Sequence, residues 1–151
     1  MRKTTYTKAI VRVPGKSFAA GLTQAKLGKP DPLLTIQQHQ AYCNALEACG
    51  IEIIYLDVAE RYPDGCFVED TAIVTERMAV VARPGHPSRH GEEDLIAPIL
   101  AQLRPTYRIQ APATLDGGDV LRIDDHFYVG VSNRTNIEGA RQIEKYLLSL
   151  I

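Results

Sequence analysis

Strand and helix segments recur along this chain in one order, with a period of roughly 50 residues, and that recurrence restricts the fold more than any other feature. Thr7–Val13 alternates like a strand. A loop follows that contains Pro14, Gly15, Gly21, Gly28, Pro30 and Pro32. Thr35-Ile-Gln-Gln38 then has the form of a capping box. Ile36, Cys43, Leu46 and Cys49 return near helical spacing up to Gly50, a suitable helix-ending residue. Ile51–Leu56 reads as a short buried strand.

The second cycle opens with a hairpin, Glu69–Thr75 and Met78–Arg83, turning at Glu76-Arg77. Ser88 is the expected N-cap of a helix with Leu95, Ile96, Ile99, Leu100 and Leu103 on one face. Pro98 falls inside that pattern and removes a hydrogen bond, so a kink or a later start is expected. Thr106–Gln110 is the strand that follows. The third cycle repeats the hairpin as Asp119–Ile123 and Phe127–Val131, turning at Asp124-Asp125. Thr135-Asn-Ile-Glu138 forms a second capping box, followed by Ile137, Ala140, Ile143, Leu147 and Leu150 at amphipathic spacing. No strand follows this helix, so the third cycle reads as unfinished and the chain as cut short after residue 151. A ring of such units is an α/β propeller, with about three units here. The same elements also suit an open α/β sandwich, and periodicity does not choose between them.

At 151 residues the chain makes one domain or a large part of one, and residues 1–151 are read as a single partial domain. Its net charge of −1 leaves no basic stripe to neutralise phosphates, which argues against nucleic acid as a partner. No apolar run is long enough to span a bilayer, and residues 1–13 lack the apolar block of a signal peptide. Cys43, Cys49 and Cys66 match no zinc ribbon or redox pair, and free thiols suit a reducing cytoplasm.

Four polar clusters stand in loops or at strand ends, where side chains can converge. Pro63-Asp-Gly-Cys-Phe-Val-Glu-Asp70 holds Asp64, Glu69 and Asp70. A lone acid in such a loop is commonly a turn former. The adjacent pair Glu69-Asp70 is different, because neighbouring carboxylates repel unless a cation or donor sits between them. In Leu115-Asp-Gly-Gly-Asp-Val120, two glycines let the backbone approach a ligand and aim both acids into one space, although a tight hairpin entry uses the same residues. Ser132-Asn-Arg-Thr-Asn136 precedes the last helix, so Arg134 and the helix N-terminus can hold an anion, or Thr135 can simply cap. Ser88-Arg-His-Gly91 occupies the matching place one cycle earlier, with Arg89 in the position of Arg134. Carboxylates that grip a guanidinium and arginines that grip a carboxylate together suit a zwitterionic, arginine-like small molecule. No calcium-loop or histidine-rich spacing supports a metal, and none of His39, His86, His90 and His126 has an evident cysteine or serine partner.

Phe67-Val-Glu-Asp70, Leu115-Asp-Gly-Gly-Asp119, Val129-Gly-Val-Ser-Asn-Arg-Thr-Asn136 and Gly21-Leu-Thr-Gln-Ala-Lys-Leu-Gly-Lys-Pro30 resemble motifs of the dimethylarginine dimethylaminohydrolases, of the pentein superfamily. The resemblance covers nearly the whole chain and implies a five-bladed α/β propeller. It implies hydrolysis of dimethylarginine to citrulline and dimethylamine through a cysteine thiouronium intermediate, with no cofactor. Residue by residue, it implies that Leu22 lies in a loop closing over substrate and that Asp64, Glu69 and Asp70 border or bind the guanidinium end. Arg89 and Arg134 are expected to hold the substrate carboxylate and nearby backbone, and Asp116 to orient a catalytic histidine. That histidine and the nucleophilic cysteine are expected beyond residue 151. Cys66 stands at another motif, beside carboxylates that oppose thiolate formation. Alternatives are an arginine deiminase or amidinotransferase of the same superfamily, or a non-catalytic binding module whose apolar end at Leu147, Leu148, Leu150 and Ile151 invites a partner, a further copy of the chain included.

Overall fold

The computed structural model describes residues 6–148; Leu150 and Ile151 of the expected apolar helix lie outside the described residues, as do residues 1–5. The chain divides into two compact units between Val68 and Glu69.

In the first unit, β1 (Lys8–Arg12) and β2 (Glu52–Leu56) pair in parallel, from Lys8 opposite Glu52 to Arg12 opposite Leu56. Parallel neighbours need a long crossover. The 17-residue helix α1 (Pro32–Ala48) supplies it. The helix begins at the cap Asp31, whose carboxylate accepts from the Leu33 and Leu34 amides, and Pro32 fits the first turn, where no amide partner is needed. The capping box expected at Thr35 is therefore corrected: Thr35 lies inside the helix and donates its hydroxyl to the Asp31 carbonyl. Gly50 closes the helix at φ +80°, where a side chain would be strained. Of the expected apolar stripe only Cys43 is buried, while Ile36 and Cys49 are exposed. Within this unit α1 packs against β2 and the 3₁₀ turn Lys16–Ala20, and most of its residues remain exposed, so an apolar stripe is not buried along its length.

The second unit carries two hairpins. The first, β3 (Ala72–Val74) with β4 (Ala79–Val81), turns at Glu76-Arg77 as expected. Its first strand is shorter than the sequence suggests, because Val68–Thr71 winds into a 3₁₀ turn that carries Glu69 and Asp70. Helix α2 (Glu92–Leu103) leads to β5 (Thr106–Arg108), which joins β4 in parallel. Strand β4 thus lies between two neighbours, and all three of its residues are buried. The second hairpin, β6 (Val120–Ile123) with β7 (His126–Val129), turns at Asp124-Asp125, with Asp124 at φ +53°. Helix α3 (Ile137–Leu148) follows.

Ile73, Met78, Val80, Ile109, Ala113, Leu115 and Ile143 form the core of this unit, with Val120, Phe127, Val129, Tyr146 and Leu147 packed around it. Each large side chain buried here contributes about 1.5–3 kcal/mol.

Two further helix starts depart from the sequence reading. Ser88 does not cap α2. It belongs to a separate 3₁₀ turn, Pro87–Arg89, and α2 begins after Gly91 at φ +96°, where a left-handed residue breaks the path. The helix continues through Pro98, and of its expected apolar face Ile96 and Leu100 are buried while Leu95 and Leu103 are exposed. Thr135 does not cap α3: the Asn136 side chain accepts from the Gly139 amide, leaving the Thr135 hydroxyl for the acid cluster described next.

Candidate active site

The site residues expected from sequence fall into two groups, one in each unit. In the first, Asp64 is buried, and its two carboxylate oxygens accept from the Leu22 amide at 3.0 and 3.2 Å. Gly21 is needed beside this bond, since a Cβ there would stand 2.8 Å from an Asp64 oxygen. Pro63-Asp-Gly-Cys folds as turns, with Gly65 donating to the Tyr62 carbonyl and Phe67 to the Asp64 carbonyl. A second carboxylate, not singled out from sequence, tethers the same loop. Glu60 accepts from the Lys16 and Ser17 amides, each at 3.0 Å, and these bonds hold its carboxyl below the ordinary range. The Leu22 side chain itself is exposed.

The second group gathers where residues 69–70 pass against Gly117 and Gly118. A Cβ on Gly117 would overlap the Glu69 carbonyl, and one on Gly118 would stand 2.6 Å from Asp70 Oδ1. The paired glycines are thus a packing requirement of this approach. Asp116 starts a 3₁₀ turn, with its carboxylate accepting from the Gly118 amide and its own amide donating to the Thr135 hydroxyl. Burial and then the Asp70 charge raise the Asp116 carboxyl to about 6, against the opposing pull of Arg134 and the Gly118 amide. Asp119 behaves oppositely. Burial pushes it up, but hydrogen bonds from Ser132 and Thr135, both 2.7 Å, and the Arg134 charge prevail and lower it.

The two arginines differ in kind. Arg134 is half exposed, 3.2 Å from Asp119 and 3.6 Å from Asp116. Arg89 is 4% exposed, and its guanidinium meets Asp70 at 2.5 Å and Glu92 at 2.6 Å. Glu92, also missed from sequence, is 1% exposed. Burial works against the Arg89 charge, but Glu92 and Asp70 outweigh it and hold the proton more firmly than usual. Glu69, adjacent to Asp70, is exposed.

Two histidines do have partners, contrary to the sequence reading: His39 Nδ1 lies 3.7 Å from Cys43 Sγ one helical turn away, and His86 Nδ1 lies 2.8 Å from Ser88 Oγ. Helical spacing explains the first and a tight turn the second. None of Cys43, Cys49 and Cys66 forms a disulfide. Among the described residues no group of acids, histidines and cysteines is arranged to hold a metal, and no helix is long and apolar enough to cross a membrane.

The family model described as N,N dimethylarginine dimethylhydrolase, eukaryotic, matches residues 31–148. The chain belongs to this family. A dimethylarginine dimethylaminohydrolase from Pseudomonas aeruginosa is 45% identical over 146 residues, covering 93% of this chain, and one from Streptomyces coelicolor is 41% identical over 138 residues, covering 90%. The chain spans 58% and 54% of these relatives' lengths. A Pseudomonas aeruginosa enzyme structure, a cysteine-to-serine mutant complexed with citrulline, superposes with a TM-score of 0.94 at 42% identity, over 97% of this chain and 58% of that one. The N-terminal domain of ArgZ, an arginine dihydrolase bound to product, gives 0.82 at 16% identity over 95% of this chain and 55% of that one, a likeness of fold alone. The α/β class read from sequence is therefore that of the family.

Proposed function

We propose that this chain supplies the substrate-binding part of a hydrolase that converts dimethylarginine to citrulline and dimethylamine. The observation that carries the reading is the acid cluster of Asp70, Asp116 and Asp119 around the half-exposed Arg134, in a chain of this family. Asp70 and Glu69 serve the guanidinium end, where charge-assisted hydrogen bonds recognise a planar cation. Arg134 serves the α-carboxylate by its fork geometry. Leu22 and Asp64 border the substrate, the Asp64–Leu22 bond setting the shape of their loop.

In the reaction, a cysteine thiolate adds to the guanidinium carbon and forms a C–S bond. The bond from that carbon to dimethylamine breaks, with a histidine supplying the proton to the leaving amine. Water then adds to the thiouronium carbon, the C–S bond breaks, and citrulline leaves with the thiolate restored. This reading takes the thiolate and histidine from polypeptide beyond residue 151. Asp116 orients that histidine; a carboxyl raised to about 6 suits a partner that shares a proton near neutral pH. No cofactor is required.

The finer architecture belongs to the same proposal: residues 1–151 form part of one propeller domain of repeated units. The recurring strand–helix–parallel strand order of β1-α1-β2 and β4-α2-β5 supports it. Cys43, Cys49 and Cys66, none of them in a disulfide, support a cytoplasmic setting.

The test is calorimetry of the folded chain with dimethylarginine and arginine, together with citrulline release by the longer product of the same reading frame. Heat with dimethylarginine and citrulline release from it are expected. A folded chain that binds neither compound, and a longer product that releases no citrulline, overturn the reading.

A further inference from the structure

Ser132 and Thr135 flank Arg134 along the chain, and both hydroxyls turn to one carboxylate. Ser132 Oγ and Thr135 Oγ each donate to Asp119 Oδ2 at 2.7 Å, while Arg134 Nη2 donates to Asp119 Oδ1 at 3.2 Å. One carboxylate therefore holds the turn through one oxygen and the guanidinium that the turn carries through the other. A hydroxyl has one proton to give and lone pairs with which to accept. Here the lone pairs are taken by backbone. Ser132 Oγ accepts from the Arg134 and Thr135 amides at 2.9 and 3.2 Å, and Thr135 Oγ accepts from the Asp116 amide at 3.0 Å. The turn also closes on itself, with the Ser132 amide donating to the Thr135 carbonyl.

The Arg134 backbone is confined further by two neighbours. A Cβ on Gly85 would stand 2.4 Å from the Arg134 carbonyl oxygen, so no side chain fits between those two turns. Asn136 accepts from the Thr114 and Gly139 amides and donates to the Pro112 carbonyl, which pins the chain just after Arg134. Thr135 is fully buried, and the Asp119 side chain is 12% exposed against 47% for Arg134. The guanidinium is thus the solvent-facing end of a largely internal assembly.

We propose that Asp119, Ser132 and Thr135 are positioning residues that set the direction of the Arg134 guanidinium, so that recognition of an α-carboxylate depends on two hydroxyls that carry no charge. The inference rests on the function proposed above for the ligand group that Arg134 meets, and on the hydrogen bonds alone for the direction of Arg134. A guanidinium that swings freely keeps its charge, and a charge attracts an anion from any direction. What it loses is the planar, paired alignment with both carboxylate oxygens. A guanidino compound without an α-carboxylate offers nothing for that fork to grip, so its binding does not register the loss.

The experiment compares the wild-type chain with Thr135→Val, Thr135→Ser and Ser132→Ala, all of which leave every charge in place. Binding of dimethylarginine and of decarboxylated dimethylarginine is measured by calorimetry, and order at Arg134 Nε–H is followed without ligand by nitrogen relaxation. Thr135→Val is expected to lose about tenfold in dimethylarginine affinity and Ser132→Ala about threefold, with the decarboxylated compound nearly unaffected. Thr135→Ser keeps the hydroxyl and is expected to stay close to wild type, and Arg134 Nε–H is expected to lose order only where a hydroxyl is gone. Equal losses for the two compounds, as a general structural defect produces, overturn the proposal. So does a loss in Thr135→Ser as large as that in Thr135→Val, or unchanged affinity in Thr135→Val. If Thr135→Val fails to fold, Ser132→Ala decides on the same criteria. If the wild type binds neither compound, or does not favour the one with a carboxylate, the function proposed for Arg134 fails, and the Nε–H relaxation alone confirms or refutes the positioning.

Discussion

Arg89 and Arg134 occupy matching places in successive cycles, each shortly before a helix, yet one is internal and the other faces solvent. The residue three positions on accounts for the difference. After Arg89 it is Glu92, at the first position of α2; after Arg134 it is Ile137, at the first position of α3. A carboxylate there turns the guanidinium inward to a pair one turn away. An apolar residue leaves the guanidinium to acids from elsewhere in the unit, Asp116 and Asp119, with half of its surface open. Equivalent sequence position thus does not confer equivalent chemistry. One side chain a turn away separates an arginine that is buried from one that stays half exposed.

The largest expected consequence concerns stability. Arg89→Ala strands two carboxylates in a buried setting and should cost about 3–5 kcal/mol in urea unfolding, whereas Arg134→Ala should cost at most about 1 kcal/mol. Similar losses for the two variants would dissolve the distinction between them. Next is the floor on which Asp70 rests. Gly117→Ala drives a methyl group into the Glu69 carbonyl and should cost about 1–3 kcal/mol. A midpoint within error of wild type would show that residues 69–70 move away freely.

A sharper variant transplants the rule. Ile137→Glu should capture Arg134 as Glu92 captures Arg89, lowering dimethylarginine affinity about tenfold. Unchanged affinity would mean that the residue three positions on is not what decides. The smallest effect is electrostatic. The Asp116 carboxyl stands at about 6 in the folded chain against an ordinary 3.8, so the folded state holds a proton that the unfolded chain has released between these values. Its contribution to stability therefore falls as pH rises through that window. Asp119 is lowered, so its contribution is present above the ordinary carboxylate range and is lost as pH falls below it. Because Arg134 holds Asp116 down, Arg134→Ala should move the Asp116 carboxyl titration, followed by carbon NMR, above 6. Movement to lower pH would contradict the assigned charge coupling.

Both hairpin turns were legible because two charged residues interrupt apolar runs at Glu76-Arg77 and Asp124-Asp125. Helix existence was equally plain, but the starts at Thr35, Ser88 and Thr135 were not. Several oxygen-bearing side chains stand within one turn of each start, and only the path of the backbone decides which reaches the first amides; Asp31 and Asn136 do so for α1 and α3, whereas α2 starts after Gly91, which has no side chain to cap it. The acids and arginines of the site were likewise readable as residues but not as partners. Glu92 resembled ordinary helix-start acidity beside Glu93 and Asp94, and nothing local marked it as buried.

From the sequence alone came the α/β class, the order of hairpins and helices, the family, and the residues able to carry charge into the site. All of these rest on local pattern, on period and turn chemistry written into neighbouring residues. Tertiary structure decided which carboxylate each arginine meets, which arginine remains open, and why Gly117 and Gly118 bear no side chain. Those outcomes depend on segments that are distant along the chain and close in space, where burial and approach set the strength of every charge.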